Sequence, residues 1–600
     1  MSQHNIHKFH IPVLGTGFSI DTAVKVSKYG ISSVISLVDD TLMEELRKHY
    51  SEKYNFEYVP ISLKEEDARA RRVTAYLNLI KEIVDIQFNN LKNSSLEENE
   101  EIKKYFDMLP DDSLLKKDYL LYVNADDKNF KKEIEALLRD KIKPGSIDVN
   151  IMTKLDKANT GPDDEFLPSE FNDAHAGLRG YANSKLESSV IFSAGMNPRL
   201  YGYMSSFKDF FPDNHGKFKK KIVIKVSDFR SALIQGKFLA KKGLWVSEYR
   251  IESGLNCGGH AFATDGYLLG PILEEFKVRK NELIMTVGEM FIKALNEKGI
   301  HYNENNLDYD LTVQGGVGKS TEQDFLIRRY GVKSVGWGSP FLLVPEVMNV
   351  DEYTLDKLSR AGVKDFYLSN ASPLGVPFNN LRNSEKEIEK LEKAAIGKPG
   401  SPCPKKYLVS NKEYTDKPIC SASISYLNKK INELKEKFDH TDYKKEYDKA
   451  ITKECLCVGL ASSALKVNNI ETPKMSQAVS ICPGPNLAYF SKISTLKEMV
   501  DHIYGKIDLI TDPNRPNMFI KELTLYIEYL INKIEEGLIP LTTQTEEFFN
   551  TFHKNLMDGI KYYKNLIPDI IEETEKVKKK INEDLEVLEN KLLSFVASFA

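Results

Sequence analysis

Residues 253 to 266 read SGLNCGGHAFATDG and follow the apolar, β-branched run GLWVSEY at 243 to 249. A glycine pair lets a ligand approach the backbone closely, and a histidine beside it can exchange a proton near neutral pH. The pattern recurs without the histidine as DLTVQGGVGKST at 310 to 321, and again as KSVGWGSPF at 333 to 341. Three successive strand-then-glycine turns predict strands of one barrel that deliver their C-terminal loops to one phosphate-bearing ligand.

Working outward, short β-branched runs alternate with helical patterns through the first 345 residues, as in successive βα units. Strands are expected at 11 to 17, 31 to 37, 147 to 152, 189 to 194, 221 to 226, 244 to 249, 310 to 314 and 333 to 337. Eight of them predict a closed (β/α)8 barrel, the TIM barrel, spanning residues 1 to 345. After the first strand, DTAVKVSKYG reads as a helix with Asp21 as its cap and Gly30 as its stop. Residues 62 to 140 are rich in Lys, Glu and Asp, too long for a loop, and read as a helical insertion. The polar stretch 156 to 185 reads as a loop over the barrel's mouth. Beyond 345 the βα rhythm fades into a mainly helical, cysteine-bearing C-terminal region, residues 346 to 600, that packs on the barrel or on a partner subunit.

Composition narrows the class. An apolar fraction of 41% and a charged fraction of 28% are ordinary for a globular protein. A net charge of -4 argues against a surface dominated by nucleic-acid binding. No run of 18 apolar residues occurs, and MSQHNIHKFHIPVLG lacks a signal-peptide pattern, so the expectation is a cytoplasmic protein without a membrane span. Six cysteines in 600 residues do not make a disulfide scaffold.

His260, after Gly258 and Gly259, is the candidate acid-base group at the barrel's mouth; the alternative is a solvated histidine in a tight turn. GGVGKST is similar to an ATPase phosphate loop, but the Walker spacing needs a glycine where Val313 stands. The competing reading has amides near Gly315 and Gly316 and near Gly338 and Ser339 jointly holding a single phosphate. Five cysteines lie in the C-terminal region: Cys403, Cys420, Cys455, Cys457 and Cys482. Their loop settings beside Pro or Gly make them candidate thiolate ligands for zinc or an iron-sulfur cluster, against the plain reading of buried small hydrophobes. His175 and His215, each two residues after an aspartate (Asp173, Asp213), are weaker acid-base candidates. Tyr181, Tyr201 and Tyr203 are candidate pocket residues. The run KFKKK at 217 to 221 reads as a solvated strand entry.

IPVLGTGFSIDTAVKVSKYG, VIKVSDFRSALIQGKFLAKKGLWVSEYRIESGLNCGGH and QGGVGKSTEQDFLIRRYGVKSVGWGSPFL together resemble the nitronate monooxygenase family, formerly 2-nitropropane dioxygenases, which includes flavin-dependent enoyl-acyl-carrier-protein reductases. The resemblance covers residues 8 to 345 and implies an FMN-dependent barrel. By it, Asn150 and Lys225 lie beside the flavin, Gly258 and Gly259 are motif glycines, and His260 is catalytic. Gly315, Gly316, Gly338 and Ser339 then form the two phosphate turns. Asn256 and Cys257 replace the family's usual Glu-Ala, and Pro340 its arginine, which bears on substrate choice. The resemblance implies oxidation of a small activated carbanion such as a nitronate, or NAD(P)H-dependent reduction of an enoyl thioester. The alternatives are a phosphate-loop nucleotide binder and a non-catalytic interaction protein whose C-terminal helices meet a partner or a second copy.

Overall fold

The computed structural model describes residues 6–161, 163, 165–252, 258–261, 265–473, 475–535 and 543–597. Eight parallel strands close in sequence order: β1 (Phe9–Ile11), β2 (Ser32–Ser36), β3 (Ile147–Met152), β4 (Ser189–Ser193), β5 (Lys221–Val226), β6 (Val246–Glu252), β7 (Asp310–Gln314) and β8 (Ser334–Gly336). The (β/α)8 barrel read from the sequence is the fold. β1 lies earlier than expected: Pro12 has no N–H to give the ladder, so the strand ends at Ile11 and residues 12 to 16 turn over the mouth. β6 runs three residues further, to Glu252.

Strand alternation decides what faces inward. Register pairs Ser36 with Asn150, Asn150 with Ile191, Lys225 with Arg250, and Glu252 with Gln314. The inner wall from β2, β4 and β5 is apolar, where Val34, Ile191 and Val223 form their own cluster. On the opposite wall Arg250 donates to Glu248 at 2.8 Å, and Thr312 donates to the same carboxylate. Buried charges persist because each has a partner.

Asp21 does not cap its helix. Its buried carboxylate instead accepts from Tyr50 Oη at 2.7 Å and Asn349 Nδ2 at 2.8 Å. Gly30 does end the element, at φ +79°. Between β2 and β3 lie the helices Asp40–Tyr54, Ala68–Asn93, Glu100–Asp107, Leu114–Val123 and Lys128–Lys141. The stretch 156 to 185 is not all loop, because Asp173–Ala182 forms a helix.

The C-terminal region is mainly helical and also contributes an antiparallel hairpin, β9 (Phe366–Ser369) with β10 (Phe378–Leu381). One hydrophobic core runs continuously from Phe9 in β1 to Leu592 in the last helix. The barrel helix Leu269–Val278 is covered by the final helices: Leu269 N–H donates to Glu522 at 3.0 Å and Gly270 N–H to Tyr563 Oη at 3.1 Å. Among the described residues no helix is long and apolar enough to cross a membrane.

Candidate active site at the barrel mouth

The strand ends open into a cavity of about 450 Å3. Its floor is built from inward residues near the C-terminal ends of the strands: Ser36, Asn150, Ser193, Lys225, Glu252 and Gln314. Asn150 Nδ2 donates to Ser193 Oγ at 3.3 Å. Lys225 forms an ion pair with Glu252, whose carboxylate also accepts from Gln314 Nε2 at 2.9 Å. A cation is thus held at the cavity floor while its counter-ion stays almost fully buried.

The turn after β6 brings Gly258, Gly259 and His260 to the same cavity. Asn256 and Cys257 lie outside the described residues. A side chain at Gly258 would put its Cβ 2.5 Å from the Cys482 carbonyl, and Gly259 has φ +80°, so both positions need glycine. Gly259 N–H donates to Cys482 O at 3.1 Å and Asn379 N–H donates to Gly259 O at 2.9 Å. His260 Nε2 lies 2.7 Å from Ser372 Oγ. Burial pushes the imidazole down to a pKa of about 4, so it is neutral at physiological pH.

Gly315, Gly316, Gly338 and Ser339 do not line this cavity but continue directly from its wall at Gln314 and from β8. Gly315 and Gly316 have φ +97° and +79°. Arg515 Nη2 donates to Gly316 O and Asn486 Nδ2 to Val317 O, each at 2.9 Å, which turns these carbonyls toward the C-terminal region. Ser339 Oγ accepts the Gly484 N–H at 2.7 Å and keeps its own hydrogen to donate.

The ATPase-like segment is used otherwise. Gly318 and Lys319 donate their N–H groups to Glu322 Oε2 at 2.9 and 3.2 Å, and Arg515 pairs with that carboxylate at 2.8 Å. The helix N-terminus that a triphosphate would need is occupied by the chain's own anion.

Four of the five cysteines, Cys403, Cys420, Cys455 and Cys457, lie near enough to shift one another's thiols, and Cys482 stands apart against Gly259. Cys403 and Cys420 share a small cluster in which Cys420 hydrogen-bonds to Cys403, which holds the Cys403 thiol below its ordinary range. Cys455 starts the helix Leu456–Val467, Cys457 lines the cavity, and Cys482 sits against Gly259, its thiol pushed up to about 12 by burial. Among the described residues no group of three or more His, Cys, Asp or Glu can hold a metal ion, so the zinc or iron-sulfur expectation finds no ligand set.

The lesser candidates lie away from the cavity lining. His175 is buried and its Nδ1 bonds Asp156 at 3.0 Å; Asp173 pairs with Lys157 and Arg69; His215 sits in a turn closed by Asp213. Tyr181 Oη donates to Ser188 O, Tyr201 Oη to Gln235 Oε1, and Tyr203 Oη accepts from Arg179; none of the three lines the cavity. Lys220, in the run expected to be solvated, is fully buried and donates to Tyr181 O and Ser184 O at 2.9 Å.

Sequence reasoning missed Glu252 and Gln314, although each is the last strand residue before a glycine turn. It also missed the cover: Phe378, Tyr407, Leu408, Leu456, Leu460 and Cys482, all C-terminal, roof the cavity.

No family profile matches the chain, and no curated protein matches it. Among solved structures it is similar to FabK from Thermotoga maritima, at 15% identity and TM-score 0.29, over 69% of this chain and 86% of that one. A point mutant of that protein aligns at 12% identity and TM-score 0.28, over 63% and 79% of the two chains. The enoyl reductase domain of MlnA from the macrolactin biosynthesis cluster of Bacillus amyloliquefaciens aligns at 14% identity and TM-score 0.32, over 69% and 90%. At these scores shared chemistry does not follow.

Proposed function

We propose that the chain is a flavin-dependent oxidoreductase that takes FMN across the mouth of its barrel. The observation that carries this reading is the convergence of Asn150, Lys225, Gly258, Gly259 and His260 on one cavity at the C-terminal strand ends, where barrels of this kind place their chemistry. The residues fit the group. Asn150 and Lys225 would hold the ring, supplying an amide and a fixed positive charge. The turns at Gly315 and Gly316 and at Gly338 and Ser339 would receive the phosphate, with Ser339 Oγ–H as donor and with Gly316 O and Val317 O already held away by Arg515 and Asn486.

When bound, the isoalloxazine supplies the hydride or electron chemistry. His260 supplies the proton handling: it is neutral, buried and anchored, so it can donate to or accept from a substrate atom without first losing a charge. The roof of Phe378, Tyr407, Leu456 and Leu460 excludes water from the reacting centre. The substrate is a small organic or acyl-thioester molecule, and the reaction is either oxidation of a nitronate or reduction of an enoyl thioester with a reduced nicotinamide.

Protein purified without oxygen and titrated with FMN tests the reading. The expected result is a stoichiometric, perturbed flavin spectrum. Anaerobic bleaching by NADH or NADPH with reoxidation by a short enoyl thioester would assign the reductase, and flavin reduction by a primary nitronate alone the oxidase. A protein that takes up no flavin overturns the proposal.

A further inference from the structure

His260 stands at the seam between the barrel and the C-terminal hairpin. Ser372, just after β9, is fully buried, and its Oγ lies 2.7 Å from His260 Nε2. That oxygen already accepts the Leu374 N–H at 3.2 Å. The serine's own hydrogen therefore needs an acceptor, and His260 Nε2 is within reach. Were Nε2 protonated, two donors would face one hydroxyl oxygen, and the hydroxyl hydrogen would be buried with no acceptor among the described residues, an arrangement folded proteins avoid.

We propose, on the reading that His260 handles the proton, that Ser372 is a positioning residue that holds the imidazole with its proton on Nδ1 and with Nε2 unprotonated. The same hairpin fixes the ring in place. His260 bridges to Phe378 of β10, Ala261 N–H donates to Pro377 O at 2.9 Å, and the Phe378 ring packs edge-on at 5.0 Å from the imidazole centroid. Because burial keeps the imidazole neutral, the position of its single proton is the variable that remains, and it decides which nitrogen donates. Ser372 is 112 residues downstream of His260, so the C-terminal region sets the acid-base character of a barrel residue.

Nitrogen NMR on full-length, flavin-free protein labelled with 15N-histidine tests this, with His260→Gln identifying the resonances. The expected wild-type spectrum shows His260 with a pyridine-like Nε2 and a pyrrole-like Nδ1. Ser372→Ala should move it toward the other tautomer or a mixture, and Ser372→Thr, which keeps the hydroxyl, should not. In the flavin-loaded enzyme Ser372→Ala should lower kcat by about 10- to 100-fold at unchanged KM, part of the roughly 100- to 10,000-fold that a positioned proton donor contributes. A protonated Nε2 in the wild type overturns the proposal even if no serine variant folds, and so does an unchanged tautomer in Ser372→Ala. Full turnover in His260→Gln would instead overturn the role given to His260, which separates the two failures.

Discussion

His260, His7 and His10 are all held neutral by burial, the first two with pKa values lowered from 6.5 to about 4. Such groups add stability that is complete above pH 6.5 and is lost as pH falls toward 4, because over that window the unfolded chain binds protons that the folded chain does not. At about 1.4 kcal/mol per tenfold, His7 alone accounts for roughly 3 kcal/mol across that range. Denaturant titrations at pH 7, 5.5 and 4.5 should show this loss, with a shallower slope in His7→Phe. The acid limb of kcat assigned to His260 is expected near pH 4 to 5 rather than near 6.5. His260→Ala should retain flavin while kcat falls by about 100- to 10,000-fold, and loss of flavin from that variant would contradict the assigned role. Gly258→Ala forces a Cβ to within 2.5 Å of the Cys482 carbonyl and should cost about 1–3 kcal/mol, read from the denaturation midpoint.

At the scale of elements, the turn after β7 depends on a connecting-segment arginine that arrives about two hundred residues later. Arg515 and Glu322 are both almost fully buried, and Arg515 joins the helix cap to the Gly316 carbonyl. Removing one partner leaves an uncompensated buried charge, so Arg515→Met should cost about 3–5 kcal/mol. Pairing it with Glu322→Gln should recover part of that cost and leave the turn less ordered, which a weaker affinity for FMN would register. The strands themselves were legible: short β-branched runs alternating with helical patterns mark all eight, the first of them only at its final residue. Their ends were less so, since Pro12 stops β1 early by lacking a ladder donor, and β6 runs on through Arg250 to Glu252.

Taken whole, the molecule has a barrel whose mouth is finished by its own C-terminal region. Gly17 N–H donates to Leu460 O at 2.9 Å, and a Cβ at Gly17 would lie 2.6 Å from that oxygen, so the two parts are in backbone contact at the cavity rim. Truncation after residue 345 would expose barrel helices now covered by Tyr563, Phe552 and their neighbours. The expected outcome is aggregated or partly unfolded protein by size-exclusion chromatography and circular dichroism. A soluble truncated barrel that binds FMN as the whole chain does would show instead that the cover is dispensable for holding the cofactor.

The sequence by itself determined the barrel and the histidine turn at its mouth. A strand run and the glycine turn that follows it are local properties, so Gly258, Gly259 and His260 could be placed at the mouth from their positions in the chain, while the placing of Asn150 and Lys225 rested on the family resemblance. Only the tertiary structure decided the Glu252 and Gln314 part of the floor, the roof, the partner of His260 and the use of Glu322 as an internal anion. Each of these depends on contacts between residues far apart in the chain, such as the 112 residues from His260 to Ser372 and the 193 from Glu322 to Arg515. Local pattern carries no information about which distant side chain arrives, because that is settled by how the helices and the hairpin pack over one continuous core.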